Sequence, residues 1–182
     1  MLKNINKISI IGGSGTGKTT LSNNLSNNLN IPVYHLDGIN YFQNWESRDK
    51  AERDKIILKK IEEPQWIIDG TYNSTLGIRI QKADLIIYLD YSSFAQLKGI
   101  MTRFLKNKGK EKLEIPGCKE KMDKEFFLWT LSWRKRKRAN IYEALQDVDK
   151  SKVLIFKNRR QLNKWYLNNF NQKIQLEEKD SK

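Results

Sequence analysis

"GGSGTGKTT" occupies residues 12–20, directly after the run "KISII" at 7–11 and directly before leucines at 21, 25 and 29. It fits G-x-x-x-x-G-K-[ST] through Gly12, Gly17, Lys18 and Thr19. Glycines let the backbone curl so that successive N–H groups point inward around phosphate oxygens. A helix opening near Gly17 adds its positive N-terminal end. The stretch Gly12, Gly13, Ser14, Gly15, Thr16, Gly17, Lys18, Thr19 and Thr20 is therefore a candidate nucleotide cradle. In it, Lys18 places a point charge on the β- and γ-phosphates and the Thr19 hydroxyl can ligate Mg²⁺. A chance glycine turn lacks the flanks found here, a β-branched run before the loop and leucines every four residues after it.

Outward from the loop, apolar runs alternate with helical patterns. "PVYHL" (32–36), "QWIID" (65–69), "DLIIYLD" (84–90) and "KVLIF" (152–156) join "KISII" as five strand candidates. Runs that are apolar throughout predict strands covered on both faces, hence a mostly parallel sheet. Helices are expected over 48–62, 93–105, 123–147 and 159–170, besides the one after the loop. Alternating strands and helices give an α/β, doubly wound fold in one domain over residues 1–172. Residues 106–122, "KNKGKEKLEIPGCKEKM", interrupt the alternation and read as a mobile, lid-like excursion. The charged tail at 173–182 is expected to be frayed.

The 182-residue chain has 38% hydrophobic and 30% charged residues, a globular composition. No apolar run is long enough to cross a membrane. "MLKNINKISI" has no apolar signal core, and the single cysteine, Cys118, allows no disulfide within the chain; the cytoplasm is the expected compartment. The net charge of +13 favours polyanionic partners such as nucleic acid, an anionic surface or polyphosphate ligands. Abundant Asn, Lys and Ile also fit an AT-rich coding bias, which raises lysine without a binding role.

A GTPase needs N-K-x-D for guanine, and "NKIS" (6–9) and "NKWY" (163–166) both lack the Asp. With no transporter-type signature and a length short for a helicase motor, a small phosphoryl-transfer kinase remains. Ligands of parallel sheets sit beyond the carboxyl ends of the strands. Asp37, in "HLDG", is placed there to take a proton from a substrate hydroxyl or to position a substrate; a turn or cap role before Gly38 is the alternative. Asp69, in "WIIDGTY", is the first candidate for the Mg²⁺ shell with Thr19, and Asp90, after "LIIYL", competes for it. His35 reads as a packed strand residue.

The basic run "RKRKR" (134–138) splits by helical phase. Phe127, Leu131, Arg134, Arg138, Ile141 and Leu145 follow one another at spacings of 4, 3, 4, 3 and 4, a single stripe. Arg134 and Arg138 then face inward and need a partner charge, for which a phosphate at the loop is the natural choice. Lys135, Arg136 and Lys137 are left to solvent. The alternative is a helix that breaks near Ser132 and a run that is merely exposed. Arg79, in "STLGIRI", and Arg103 are further guanidinium candidates that also suit an ordinary surface.

Together, "GGSGTGKTTL", the "LDG" stretch ending at Trp45, "WIIDGTYNSTLGIR", "ADLIIYLD" with Arg103 after it, "GCKE" (117–120) and the helix from Phe126 to Arg138 resemble the DNA topology modulation proteins, relatives of adenylate kinase. The likeness covers roughly residues 5–170. It implies a strand order of 2-3-1-4-5. It also implies a metal site at Asp69, a substrate-binding Arg79, and phosphate-clamping Arg103, Arg134 and Arg138. Two functions follow: an ATP- and Mg²⁺-dependent kinase for a small acceptor, or a nucleic-acid-binding regulator of DNA topology that uses ATP as a switch.

Overall fold

The computed structural model describes residues 4–112, 114–119 and 124–175. Five parallel strands form the central sheet: β1 (Lys7–Gly12), β2 (Val33–His35), β3 (Trp66–Asp69), β4 (Leu85–Leu89) and β7 (Val153–Phe156). Their order is β2-β3-β1-β4-β7, the expected 2-3-1-4-5. β3 and β4 are buried at every position, as continuous apolar runs require.

Among the described residues, seven helices surround the sheet: α1 (Lys18–Leu29), α2 (Leu36–Asn40), α3 (Lys50–Ile61), α4 (Asn73–Lys82), α5 (Ser93–Asn107), α6 (Lys124–Ala144) and α7 (Arg159–Phe170). Side-chain oxygens of Asp49, Ser92 and Asn158 cap α3, α5 and α7. One core layer packs Ile57, Ile61, Leu76, Ile80, Trp133 and Ile141 against Ile11, Ile68 and Ile86. The opposite layer packs Leu21, Leu25, Leu162 and Tyr166 against Ile8, Ile10 and Ile87. The leucine stripe after the phosphate loop thus buries Leu21 and Leu25 completely.

Two segments outside the alternation are described in part. The 106–122 excursion contains a β-hairpin, β5 (Glu111–Lys112) and β6 (Ile115–Lys119), docked on the segment after α2. Trp45 donates its backbone N–H to Cys118 Sγ (3.1 Å) and its indole N–H to the Lys119 carbonyl (3.1 Å). Buried Ile115 and Cys118 give the hairpin its own apolar seat. Of the tail, residues 173–175 follow α1, where Gln175 exchanges two hydrogen bonds with Asn24 (2.7 and 2.8 Å); the rest of the expected frayed segment, 176–182, lies outside the described residues. So do Leu113 and residues 120–123 of the excursion.

Candidate active site

The loop between β1 and α1 is held by backbone against backbone. Gly15 has φ +75, and a Cβ there would lie 2.2 Å from the Gln96 carbonyl of α5. A Cβ on Gly99, one turn further along α5, would lie 2.0 Å from the Gly15 carbonyl. Glycine on both sides lets the helix press onto the loop. The start of the loop is tied across the sheet: Thr71 Oγ1 accepts from the Gly12 N–H (3.1 Å) and donates to the Gly12 carbonyl (3.0 Å). Lys18 Nζ donates to the Gly13 carbonyl (2.9 Å).

The loop opens into a cleft of about 1230 Å³, lined by Gly12, Ser14, Gly15, Gly17, Lys18, Thr19 and Thr20 on one wall. Asp37 and Asp69 line it too. Protein atoms crowd the Lys18 ammonium, and that desolvation lowers its pKa; Asp37 and Asp69 pull in the opposite direction. Arg103 also lines the cleft and adds positive potential at Lys18. Gly13 and Thr16 are buried under the loop, where Thr16 Oγ1 donates to the Gly13 carbonyl (2.8 Å) and so shapes the cradle from below.

Asp69 ends β3 where Gly70, at φ +130, turns the chain sharply away. A Cβ on Gly70 would lie 2.8 Å from Leu36 Cβ, so the turn is closed to larger residues. Asp69 Oδ2 accepts from Ser22 Oγ (2.5 Å) and bonds His35 Nδ1 (2.8 Å). His35 is the parallel-register neighbour of Asp69 and lines the cleft. It is therefore a site residue that the sequence reading left in the core. A hydroxyl and a carboxylate oxygen are hard donors that suit Mg²⁺, which binds through one or two carboxylates plus substrate phosphates. Thr19 and Asp69 fit that ion, with Ser22 and His35 fixing the carboxylate.

Asp90 does not compete for the metal. Its buried carboxylate is surrounded: Lys157 Nζ at 2.6 Å, Arg138 Nε at 3.1 Å, Arg134 Nε at 3.3 Å and Tyr142 Oη at 3.0 Å. Burial works against its charge, but the bonds from Lys157, Arg138 and Tyr142 prevail and hold its pKa below the usual carboxylate value. This corrects the phosphate clamp. Arg134 and Arg138 do turn toward a partner charge, but that charge is Asp90. Neither lines the cleft. The proposed stripe holds only at its C-terminal end: Ile141 and Leu145 are buried, but Phe127 and Leu131 are exposed. The adjacent stripe, Phe126, Trp129, Trp133 and Lys137, faces the cleft. Lys137, assigned to solvent from sequence, is the basic residue of the run that reaches the site.

Arg79 is displaced from its expected role as well. It is fully buried on the inner face of α4, away from the cleft lining, and donates from Nη1 to the Gly70 carbonyl (3.1 Å). Desolvation lowers its pKa to about 10, with Asp69 opposing, so it stays charged at neutral pH. It props the turn that carries Asp69. We expect Arg79→Ala to lower unfolding stability by about 2–4 kcal/mol through the cavity and the orphaned carbonyl. Urea denaturation measures that loss; unchanged stability with a weakened acceptor KM would restore the binding role.

Arg159, the first residue of α7, also lines the cleft, with its guanidinium beside Gly17. Its only signal in the sequence is position, just after the last strand.

No protein-family model matches the chain, and none of the curated proteins matches it. Solved structures do. Shikimate kinase from Acinetobacter baumannii, in complex with shikimate, aligns with a TM-score of 0.56 at 16% identity, covering 92% of this chain and 96% of that one. Shikimate kinase from Bacteroides thetaiotaomicron aligns at 0.53 and 18%, covering 92% and 99%. Deoxyadenosine kinase from M. mycoides, with bound dATP, aligns at 0.53 and 15%, covering 91% and 100%. What this chain shares with these proteins is the fold of the small P-loop kinases.

Proposed function

We propose that the chain is an ATP- and Mg²⁺-dependent kinase that phosphorylates a small acceptor. The observation that carries this reading is the convergence of Lys18, Thr19, Asp69 and Asp37 on one cleft. The cleft volume of about 1230 Å³ exceeds the roughly 300–1,000 Å³ of a single-ligand pocket, which leaves room for a nucleotide and an acceptor together. The loop amides and Lys18 bind the donor phosphates and stabilise the charge that moves to them. When bound, Mg²⁺ neutralises phosphate charge, and Thr19 and Asp69 are the residues that hold it. Arg103, Lys137 and Arg159 add positive field along the nucleotide path. Asp37, whose charge acts on the Lys18 ammonium, stands in the same cleft to receive the acceptor's proton. The fold of the nucleoside and shikimate kinases supports this class of chemistry by analogy.

The test is ADP formation from ATP and Mg²⁺ across nucleosides, nucleoside monophosphates and small hydroxyl metabolites. We expect acceptor-dependent turnover that requires Mg²⁺. Binding to duplex DNA that weakens steeply with salt, without acceptor-dependent turnover, would favour the regulator of DNA topology instead.

A further inference from the structure

A second concavity lies on another face of α6. Leu131, Arg134, Lys135, Arg138 and Ala139 recur at spacings of 3, 1, 3 and 1, so they share one face of the helix. With Ser93, the first residue of α5, they line a pocket of about 400 Å³. None of the six is acidic, and none lines the phosphate-loop cleft. The Ser93 hydroxyl donates to the Leu131 carbonyl (3.3 Å) and ties the first turn of α5 to α6.

The charge at this pocket does not balance. Arg134, Arg138 and Lys157 all lean on Asp90, and Lys135 shares the pocket with the two arginines. Four cations against one carboxylate leave a surplus of three positive charges. Lys135 is exposed, and no carboxylate among the described residues pairs with it.

The arginines are also held by one end only. Arg138 reaches Asp90 through Nε, at 3.1 and 3.3 Å, with its guanidinium over the Tyr142 ring at 4.7 Å. Arg134 Nε lies 3.3 Å from Asp90 Oδ1 and makes no hydrogen bond. Among the described residues, the Nη groups of both arginines donate to no protein atom. A guanidinium fixed at Nε keeps an Nη edge for a further acceptor, and planar guanidinium edges suit phosphate oxygens. Buried Asp90 thus orients two such edges, and the positive N-terminal end of α5 adds to their field.

We propose that this pocket is a second anion site, separate from the phosphate loop, that takes one small phosphate group, free or esterified. The Nη groups of Arg134 and Arg138 and the Lys135 ammonium supply its donors. A volume of about 400 Å³ falls at the small end of the roughly 300–1,000 Å³ of single-ligand pockets. Apolar Leu131 and Ala139 bound the three cations along the helix, so the pocket does not extend into the row of cations that a nucleic-acid backbone uses.

This site stands apart from the kinase reading, and the experiment keeps the two apart. The full chain is first saturated with Mg²⁺ and a non-hydrolysable ATP analogue, which fills the phosphate loop. Inorganic phosphate, glycerol 3-phosphate and a short DNA duplex are then titrated separately by calorimetry; the first two arms tell free phosphate from a phosphate ester. We expect saturable binding of at least one small anion. Lys135→Glu should weaken it about tenfold or more, the loss of one charge-assisted bond, and should melt with the parent because Lys135 does not touch Asp90. Arg136→Glu makes the same charge change on the same helix outside the pocket and should weaken it by less than about threefold. Arg138→Lys, which keeps the charge beside Asp90 and loses the guanidinium edge, should weaken it as well. Absence of small-anion binding to the ATP-analogue complex overturns the proposal. So does equal weakening by Lys135→Glu and Arg136→Glu, which would mean diffuse charge, or binding that Lys135→Glu leaves intact. Duplex binding that depends on Lys135, with neither small anion bound, would make this face a nucleic-acid surface instead. Failure to bind the ATP analogue removes the kinase reading alone; the comparison of Lys135→Glu with Arg136→Glu then decides the second site on the unblocked chain.

Discussion

Lys18→Ala is expected to lower kcat/KM for phosphoryl transfer by roughly 3 kcal/mol or more, about two orders of magnitude. The argument is electrostatic. The Lys18 ammonium stands where Asp37, Asp69, Arg103 and Lys112 all act on it, and crowding by protein atoms has stripped part of its hydration. A charge already desolvated does not have to reorganise water when negative charge moves between phosphoryl oxygens, so it acts more strongly than the same charge in water. Its bond to the Gly13 carbonyl (2.9 Å) holds it over the loop before any ligand arrives. The variant should remain folded, because the loop geometry rests on Gly15 against α5 and on Thr71 against Gly12, not on the lysine. Steady-state kinetics alongside a thermal melt decide the matter. Turnover within a fewfold of the parent at unchanged stability would remove Lys18 from the transition state and the kinase assignment with it.

The fold and half of this site were legible in the sequence for separate reasons. Strands β1, β3 and β4 are buried on both faces, so their residues had to be apolar throughout, and the phosphate loop between β1 and α1 has a fixed spacing. Lys18, Thr19, Asp37 and Asp69 follow from that frame because parallel strands end at one edge. The arginines did not follow. α6 carries apolar residues on two neighbouring stripes, 126/129/133/137 and 127/131/134/138, each at helical spacing. Periodicity alone finds a face but not its phase, and over the first turns the phase is set by Trp133 entering the core. His35 and Ser22 were invisible for another reason. Their importance lies in a meeting with Asp69 across the β2–β3 pairing and the β3–α1 packing, contacts 34 and 47 residues apart. Arg79 read as a substrate-binding arginine, with an ordinary surface role as the alternative, because only burial, which no local pattern reports, separates a prop from a clamp.

Asp90 is where the second large effect is expected. Its side chain is fully buried, whereas those of Arg134, Arg138 and Lys157 keep 36%, 42% and 48% of their surface. Three cations held at one carboxylate are stable only while that carboxylate is charged. Asp90→Ala leaves them facing one another and opens the bonds of Tyr142. Breaking a buried ion pair by removing one partner costs about 3–5 kcal/mol; because these cations can turn toward water, the lower end, about 3 kcal/mol, applies. The sign with pH follows from the lowered pKa. Asp90 contributes stability above the carboxylate range, and that contribution is lost as pH falls through its folded-state pKa. The stability gap between parent and Asp90→Ala should therefore be widest near neutral pH and close under acid. Arg138→Ala separates the two roles of the basic run: it should cost stability and leave the apparent affinity for ATP unchanged. Stability left intact in both variants, with ATP affinity lost in Arg138→Ala, would put the arginines back on the phosphates and leave Asp90 without its partners.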